Sequence, residues 1–538
     1  MHQKCHYGLI LLMLIFVGHA YVLNCVAEDA YISFRYARNL ANGYGLRWNI
    51  DEAPVEGYTN FLWVIMCALA YKMGFEMPLF SQILGTGASL ITLFWIYLFG
   101  RTFFDSKALY SLLPCLYLSL SGPFATWAAS GKETNFFGLL VLIGIFYALK
   151  FWQKNNRQDL VICFITLFFA TLVRPEGFLV FTIVLCFFLI MSLLKADKSV
   201  KKVLYALLYY LNPFLIYFIW RVYLFGFLLP NTYYAKTGGT VYQYKRGLMY
   251  SEHFVIYFVL PLAPIVVLLV WEKRASLIAF RISIHAVRQH LLTYASIYLC
   301  VSTCLIYMLY IILVGGDYMA MHRFFVPLLP LIYLLFGLAA TKLLRSVSTS
   351  PVKSFLTWAI LLFALTATVI QSTPIEKKLF KKPALMHGNY RGVEIERKTV
   401  ARFIVIGQFF NKYKRDHESL ATASIGAISY YAGMKIYSIT GLVDTYIAHK
   451  KRTEIPLGLS YAGHEKVDLD YILSKKPTFI MLNKKLQPGP RKNIEQWWRT
   501  VYALHRFKKD YKLTSVWLVD ETNQQQGYFT FLELKDRR

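Results

Sequence analysis

Residues 8–29 read GLILLMLIFVGHAYVLNCVAED, an unbroken apolar run that ends on two adjacent carboxylates, Glu28 and Asp29. A helix rises about 1.5 Å per residue, so roughly 20 such residues cross about 30 Å of hydrocarbon. The stretch 8–27 is therefore expected to span a membrane and to deliver Glu28 and Asp29 to its far surface. Lys4 gives it a basic lead. The run is longer than the apolar region of a typical secretory signal and no A-x-A site follows, so it reads as an uncleaved first span.

The same arithmetic repeats along the chain. Apolar blocks at 79–100, 108–128, 134–151, 159–173, 176–194, 201–224, 253–271, 291–314, 324–340 and 354–371 bring the total to about eleven spans. Phe61–Met73 is apolar but too short to cross, and is expected to lie at the interface. Of 538 residues, 57% are hydrophobic and 16% charged, against about 45–50% apolar and about 25% charged in an ordinary soluble chain. The eight cysteines (Cys5, Cys25, Cys67, Cys115, Cys163, Cys186, Cys300 and Cys304) lie in or beside apolar segments without a CxxC pair, so neither a zinc site nor a disulfide framework is expected. The net charge of +28 is spread over helix ends and the tail with no nucleic-acid module, which argues against nucleic acid as a partner. Attraction to anionic lipid and to phosphate-bearing substrates accounts for it.

Orientation follows from the basic residues. With the N-terminus in the cytoplasm, the inside loops 101–107, 150–158, 195–200, 272–290 and 341–353 all carry Lys or Arg, as the positive-inside rule requires. Counting Phe61–Met73 as a further span would put those loops outside. The opposite loops mix acids, bases and glycines: EDAYISFRYARNLANGYGLRWNIDEAPVEGYTN (28–60), SGKETN (130–135), VRPEG (173–177), PNTYYAKTGG (230–239) and GGDYMAMHR (315–323). The chain thus reads as a polytopic α-helical membrane part, 1–371, with a first outer loop at 28–78. A linker at 372–389 and a C-terminal periplasmic α/β domain at 390–538 follow. In that domain 421–429, 435–439, 478–482 and 527–534 are expected as strands and 467–474 as a helix. No internal repeat is found.

Behind Glu28 and Asp29, the residues Tyr31, Phe34, Arg35, Tyr36 and Arg38 lay out an amphipathic helix with aromatic and cationic faces. Each polar motif has a plain structural reading: the acidic pair as a polar cap, Arg174-Pro175-Glu176 as a tight loop with an internal ion pair, Gly315-Gly316-Asp317 as a turn, Lys236 as a headgroup contact, His322 beside Arg323 as an interfacial pair, and Tyr233 and Tyr234 as belt aromatics. Together they form a series. In order, EDAYISFRYARNLANGYGLRWN, VEGYTNFLW, WAASGKETNFF, LVRPEG, FGFLLPNTYYAK and GGDYMAMHRFFVPLLP, with a weaker continuation in IGAISYYAGMKIYSITGLVD, resemble the GT-C glycosyltransferases, which transfer a sugar from a polyprenyl-phosphate carrier. The likeness is narrower to the branch that contains the terminal arabinofuranosyltransferases of actinobacterial cell walls. That family has Asp-Asp where this chain has Glu28-Asp29, and SGMET is more usual where this chain has SGKET with Lys132.

The resemblance implies Asp29 as catalytic base, with Glu28 beside it. A phosphate leaving group departs as an anion and needs no general acid of the kind glycoside hydrolases supply. The acceptor hydroxyl does need a base, and direct displacement gives inversion. The developing phosphate charge calls for cations or donors, for which Arg174, Lys236, His322 and Arg323 are the candidates. Arg35, Glu56, Tyr58, Glu133, Glu176, Asn231, Tyr234 and Asp317, on the same motifs, are candidate substrate-binding residues. A divalent metal is compatible with this chemistry, but no ligand spacing demands one. The expected partners are a polyprenyl-phosphate-linked sugar, an envelope glycan, lipid or protein acceptor, and the lipids of the cytoplasmic membrane. Two rivals stand against the enzyme. A transporter or flippase of envelope lipids calls for repeat symmetry and midplane ionisable residues, whereas the polar residues here gather at one interface. A non-catalytic assembly protein on the same scaffold is the second.

Overall fold

The structure is a computed structural model that describes residues 2–104, 109–195, 199–236, 240–272, 284–346, 351–370, 373, 390–451, 466–481, 484–490, 509–522 and 525–537. The expected linker at 372–389 therefore lies outside the described residues, apart from Thr373. The first half consists of helices α1 (His2–Val22), α2 (Ala30–Ala41), α3 (Phe61–Lys72), α4 (Met77–Phe103), α5 (Leu112–Ser119), α6 (Gly122–Ala128), α7 (Thr134–Lys154), α8 (Arg157–Val173), α9 (Glu176–Lys195) and α10 (Ser199–Phe225). It continues through α11 (Asn231–Lys236), α12 (Val241–Phe254), α13 (Ala263–Glu272), α14 (Ile284–Thr293), α15 (Ala295–Val314), α16 (Leu329–Ser346) and α17 (Pro351–Ile370).

Among the described residues, eight helical stretches are long and apolar enough to cross a membrane by length and composition, fewer than the eleven blocks drawn from hydropathy. Three blocks, 108–128, 159–173 and 354–371, drop out, and two others shift their bounds. The block 108–128 divides into α5 and α6 between Leu120 and Ser121, where Pro123 opens the second helix because proline is tolerated only in a first turn. The block 253–271 begins inside a longer stretch, Val241–Leu268, which passes through a wide turn at Val255–Val259 and a tight one at Leu260–Leu262. Pro261 there has no N–H to give to the helical ladder. The block at 324–340 starts earlier, as a 3-10 segment at Ala320–Leu328. α8, with 17 residues, and the apolar stretch Ser354–Ile370 of α17 are shorter than a full crossing of about 20 residues. The outward faces of these helices leave Leu14, Ile83 and Ile216 more than half exposed, which suits a surface solvated by lipid. α3 forms as a short apolar helix where an interfacial segment was expected.

The C-terminal part holds α18 (Tyr390–Tyr413), β1 (Ser419–Thr422), α19 (Ala427–Ala432), β2 (Lys435–Ser438), α20 (Thr445–His449), α21 (Leu469–Ser474), β3 (Phe479–Met481), β4 (Tyr511–Asp520) and β5 (Gln525–Leu534). Its sheet runs β2-β1-β3-β5-β4, parallel across the first three strands and antiparallel beyond them. The expected strand 421–429 is corrected: it ends at Thr422, and Ala427–Ala432 is a helix. Apolar runs this short do not distinguish the two states.

The first outer loop and the C-terminal part share a single hydrophobic core, in which Phe34, Tyr36, Trp48 and Trp63 pack with Phe403, Ile428 and Phe529. Asn49 takes the Ile436 N–H on its Oδ1 (3.0 Å) and gives its Nδ2 to the Ile436 carbonyl (3.1 Å). Its amide thereby occupies the open backbone edge of β2, which would otherwise invite another strand.

Candidate active site

Five loops that hydropathy assigned to one side meet around a single cavity of about 270 Å³. Asp29 comes from the start of α2, Lys132 and Glu133 from the α6–α7 turn, Arg174 and Glu176 from the α8–α9 turn, Thr232, Tyr233 and Lys236 from α11, and Asp317, Tyr318 and Arg323 from the segment after α15. Ser33, Tyr58, Thr59, Asn60, Arg246 and Tyr310 add to the polar lining. At the other end of α7, Lys202 binds Asn155, so the 150–158 loop lies away from this cavity.

Local backbone explains each placement. Asp29 is the N-cap residue of α2, yet its side chain makes no cap hydrogen bond, although Asp at this position ordinarily accepts from the first turn. Its Oδ1 meets the Tyr318 hydroxyl at a long 3.4 Å. Gly316 has φ +68°, and a Cβ there would lie 2.7 Å from the Tyr250 Cβ, so only glycine turns the chain here. Beyond it Met321 (φ 55°) and His322 (φ 47°) both adopt left-handed backbone, a conformation that costs about 1–3 kcal/mol per non-glycine residue. The kink brings Arg323 Nε to 2.7 Å from Asp317 Oδ2 at the cavity wall.

The electrostatics divide into a brace and a cradle. Arg174 bridges two carboxylates, with Nη1 3.0 Å from Glu133 and Nη2 2.6 Å from Glu176. Burial alone raises the Glu133 carboxyl, but Lys132 and Arg174 outweigh it and hold it at about 2. Burial also lowers the Lys132 ammonium, against the pull of Glu133 and Asp29. Lys132 and Lys236 form no side-chain ion pair among the described residues. They are the cations a polyanionic ligand would find least committed.

Of the expected site residues, Asp29, Tyr58, Glu133, Arg174, Glu176, Lys236, Asp317 and Arg323 line the cavity. The others do not. Arg35 gives hydrogen bonds to Trp48 O, Asn49, Ser429 O and Met434 O, tying the first loop to the C-terminal part. Glu56 forms a buried ion pair with Arg221. Asn231 donates to the carbonyls of Gly441 and Leu442, and Tyr234 stacks near His449. His322 is fully buried beside His253, whose Nδ1 lies 2.9 Å from its Nε2, among Tyr250, Phe254 and Phe258. Glu28 sits behind Asp29, where its backbone N–H donates to Glu396 Oε1 (2.8 Å) and its own Oε1 accepts from the Gly426 N–H (2.7 Å). Burial, then the charges of Asp29 and Glu396, push Glu28 up to about 8, and burial pushes Glu396 up to about 7. Glu396 and Tyr318 were absent from the sequence-based candidates. Glu396 carries no local signal, whereas Tyr318 lies inside the GGDYMAMHR motif. Among the described residues no group of three or more His, Cys, Asp or Glu side chains is placed to hold a metal ion.

A family model described as a domain of unknown function (DUF8728) matches residues 389–531. No curated protein sequence matches the chain. Among solved structures, ArnT from Cupriavidus metallidurans bound to undecaprenyl phosphate superimposes with a TM-score of 0.57 at 11% identity, over 98% of each chain. The same protein in the apo state gives 0.54 at 12% identity over 97% of each. The archaeal oligosaccharyltransferase AglB from Archaeoglobus fulgidus, in complex with an inhibitory peptide and a dolichol-phosphate, gives 0.56 at 9% identity, over 98% of this chain and 74% of that one. At these identities the likeness is one of fold: this chain is a multi-pass helical membrane protein of GT-C-like architecture with a small sheet-containing domain at its C-terminal end.

Proposed function

We propose that this protein is a membrane glycosyltransferase that moves a sugar from a polyprenyl-phosphate carrier to an envelope glycan, lipid or protein. The observation that carries the reading is the meeting of one carboxylate, Asp29, with Lys132, Lys236, Arg323 and the Tyr318 hydroxyl around one cavity. The fold it shares with a protein bound to undecaprenyl phosphate supports it. The active face and the C-terminal domain are assigned to the periplasmic side of the cytoplasmic membrane, from the basic loops at the opposite face.

In this reading the acceptor hydroxyl gives its proton to Asp29, and its oxygen attacks the anomeric carbon as the bond from that carbon to the phosphate oxygen breaks. The configuration inverts, and the polyprenyl phosphate leaves as an anion. Lys132, Lys236 and Arg323 stabilise that charge, with the Tyr318 hydroxyl as a neutral donor. Arg174 acts one step back, fixing Glu133 and Glu176 in the wall.

The test uses purified protein in lipid nanodiscs with a panel of synthetic undecaprenyl-phosphate pentoses and hexoses, reading release of undecaprenyl phosphate. Asp29→Asn is expected to lower turnover at least a hundredfold and to leave undecaprenyl phosphate binding intact. Equal turnover by the variant and the parent would end the assignment of Asp29.

A further inference from the structure

The start of α2 poses a question of hydrogen-bond accounting. The first N–H groups of a helix have no partner inside it, and an Asp at the N-cap usually accepts one of them. Here Asp29 does not cap its helix, and the preceding N–H, that of Glu28, is taken instead by the Glu396 carboxylate of α18 at 2.8 Å. The Gly426 N–H fixes the Glu28 side chain from the other side at 2.7 Å. A Cβ on Gly426 would lie 2.1 Å from the Glu28 carbonyl oxygen, so the two surfaces fit without slack. The neighbouring Arg397 donates to the carbonyls of Val22 and Asn24, pinning the end of α1. The charges of Arg323 and Asp317 also reach Glu396.

We propose that Glu396 is a positioning residue of the transferase site: by taking the Glu28 N–H it orients the adjacent Asp29 toward the cavity, and through it the C-terminal domain becomes part of the catalytic unit. The proposal rests on the glycosyl-transfer reading above. Glu396 does not line the cavity and acts only through the Glu28–Asp29 turn.

The charged and titratable groups around it are Glu28 and Asp29 on the first loop, Asp317 and Arg323 on the segment after α15, and the Cys25 thiol beyond the end of α1; Lys484 reaches Glu28, and the Tyr318 hydroxyl lies in the field of Glu28, Asp29, Asp317 and Glu396. With Glu28 near 8 and Glu396 near 7, this cluster gains and loses protons close to neutrality. Neutralising Glu396 removes one of the negative charges that favour protonation of Glu28. The acid-side fall in rate should then move to lower pH.

The experiment compares full-length Glu396→Ala, Glu396→Gln and Asp29→Asn in nanodiscs, with the undecaprenyl-phosphate sugar panel for turnover and undecaprenyl phosphate for binding. Glu396→Ala is expected to lower kcat at least tenfold with KM and undecaprenyl phosphate affinity within twofold. Glu396→Gln, whose amide oxygen still accepts the N–H, is expected to keep a third or more of kcat and to shift the acid limb downward. Parent-like kcat in Glu396→Ala beside an inactive Asp29→Asn overturns the role of Glu396 alone, and so does a Gln variant as slow as the Ala one. If Glu396→Ala does not fold, the pH profile of Glu396→Gln decides, and an unmoved limb overturns the proposal. A parent that turns over no donor of the panel overturns the transfer reading itself, and an Asp29→Asn variant as active as the parent ends the assignment of Asp29 and with it the role of Glu396.

Discussion

Replacing Arg174 by methionine removes the one cation between two buried carboxylates. The side chains of Arg174, Glu133 and Glu176 are 10%, 4% and 6% exposed, and three contacts of 3.0, 2.6 and 3.3 Å join them. Methionine fills much of the same volume, so the loss is electrostatic. Removing one partner of a buried ion pair costs about 3–5 kcal/mol, because the other is left desolvated and unpaired. That is roughly a hundredfold to several thousandfold in the folded population. Lys132 offsets part of the charge on Glu133 but has no contact with Glu176, which should be the group left exposed to the penalty. The assay is unfolding in mixed micelles for Arg174→Met, Glu176→Gln and the triple variant that also carries Glu133→Gln. Arg174→Met should lose about 3–5 kcal/mol, and the triple variant should recover most of it, since neutral partners of similar shape remove the buried charge altogether. A loss below about 1 kcal/mol for Arg174→Met, well under the usual cost of a broken buried pair, would show that Arg174 is not the brace described here.

Three further outcomes are expected. Glu28 and Glu396 hold protons in the folded protein that an unfolded chain releases from about pH 4.5, so stability should fall as pH rises from 4.5 toward 8; Glu396 accounts for about 3 kcal/mol of this, and melting curves of Glu396→Gln over that range should be flatter than those of the parent. Gly426→Ala, whose Cβ would meet the Glu28 carbonyl oxygen at 2.1 Å and its carboxyl at 2.6 Å, should cut turnover tenfold or more while the protein still inserts and binds undecaprenyl phosphate, as nanodisc turnover and binding will show. The Tyr58 hydroxyl is buried at the cavity without a partner among the described residues; Tyr58→Phe should therefore raise the melting temperature, by removing a group that costs about 1–3 kcal/mol unpaired, yet raise KM for the sugar donor, and unchanged values of both would place a resident water there instead.

What the sequence reveals and what it hides follow different physics. Apolar blocks are visible because burial in lipid is decided by each segment alone, and loops on alternate sides of successive spans must gather at one face. That is why Asp29 could be expected together with Lys236 and Asp317, each more than 200 residues further along the chain. Pairings made after folding are invisible in this way. Nothing near residue 396 announces that its carboxylate will meet Glu28 across 368 positions. His322, beside Arg323 in sequence, faces away because the backbone is left-handed at Met321 and at His322 itself. β4 is hidden in the sequence for a similar reason: YKLTSVWLVD lacks a clean alternation, and it is held by its full-length pairing with β5, from Tyr511↔Leu534 to Asp520↔Gln525.

The same long-range contacts bear on how the two parts of the chain depend on each other. An exposed first loop would leave Phe34, Tyr36 and Trp48, all nearly inaccessible here, in water, where each large aromatic carries about 150–250 Å² of surface to bury. Arg35 would lose the Ser429 and Met434 carbonyls, and Trp48 and Asn49 their bonds to Ile436. The edge of β2 would stand open in turn. Neither surface is complete alone, so a chain cut before α18 should expose this core rather than survive as a working membrane half. The loop that carries Asp29 is thus built as much by residues 390–440 as by the helices on either side of it, and this is why the geometry of its carboxylate cannot be separated from the domain that packs above it.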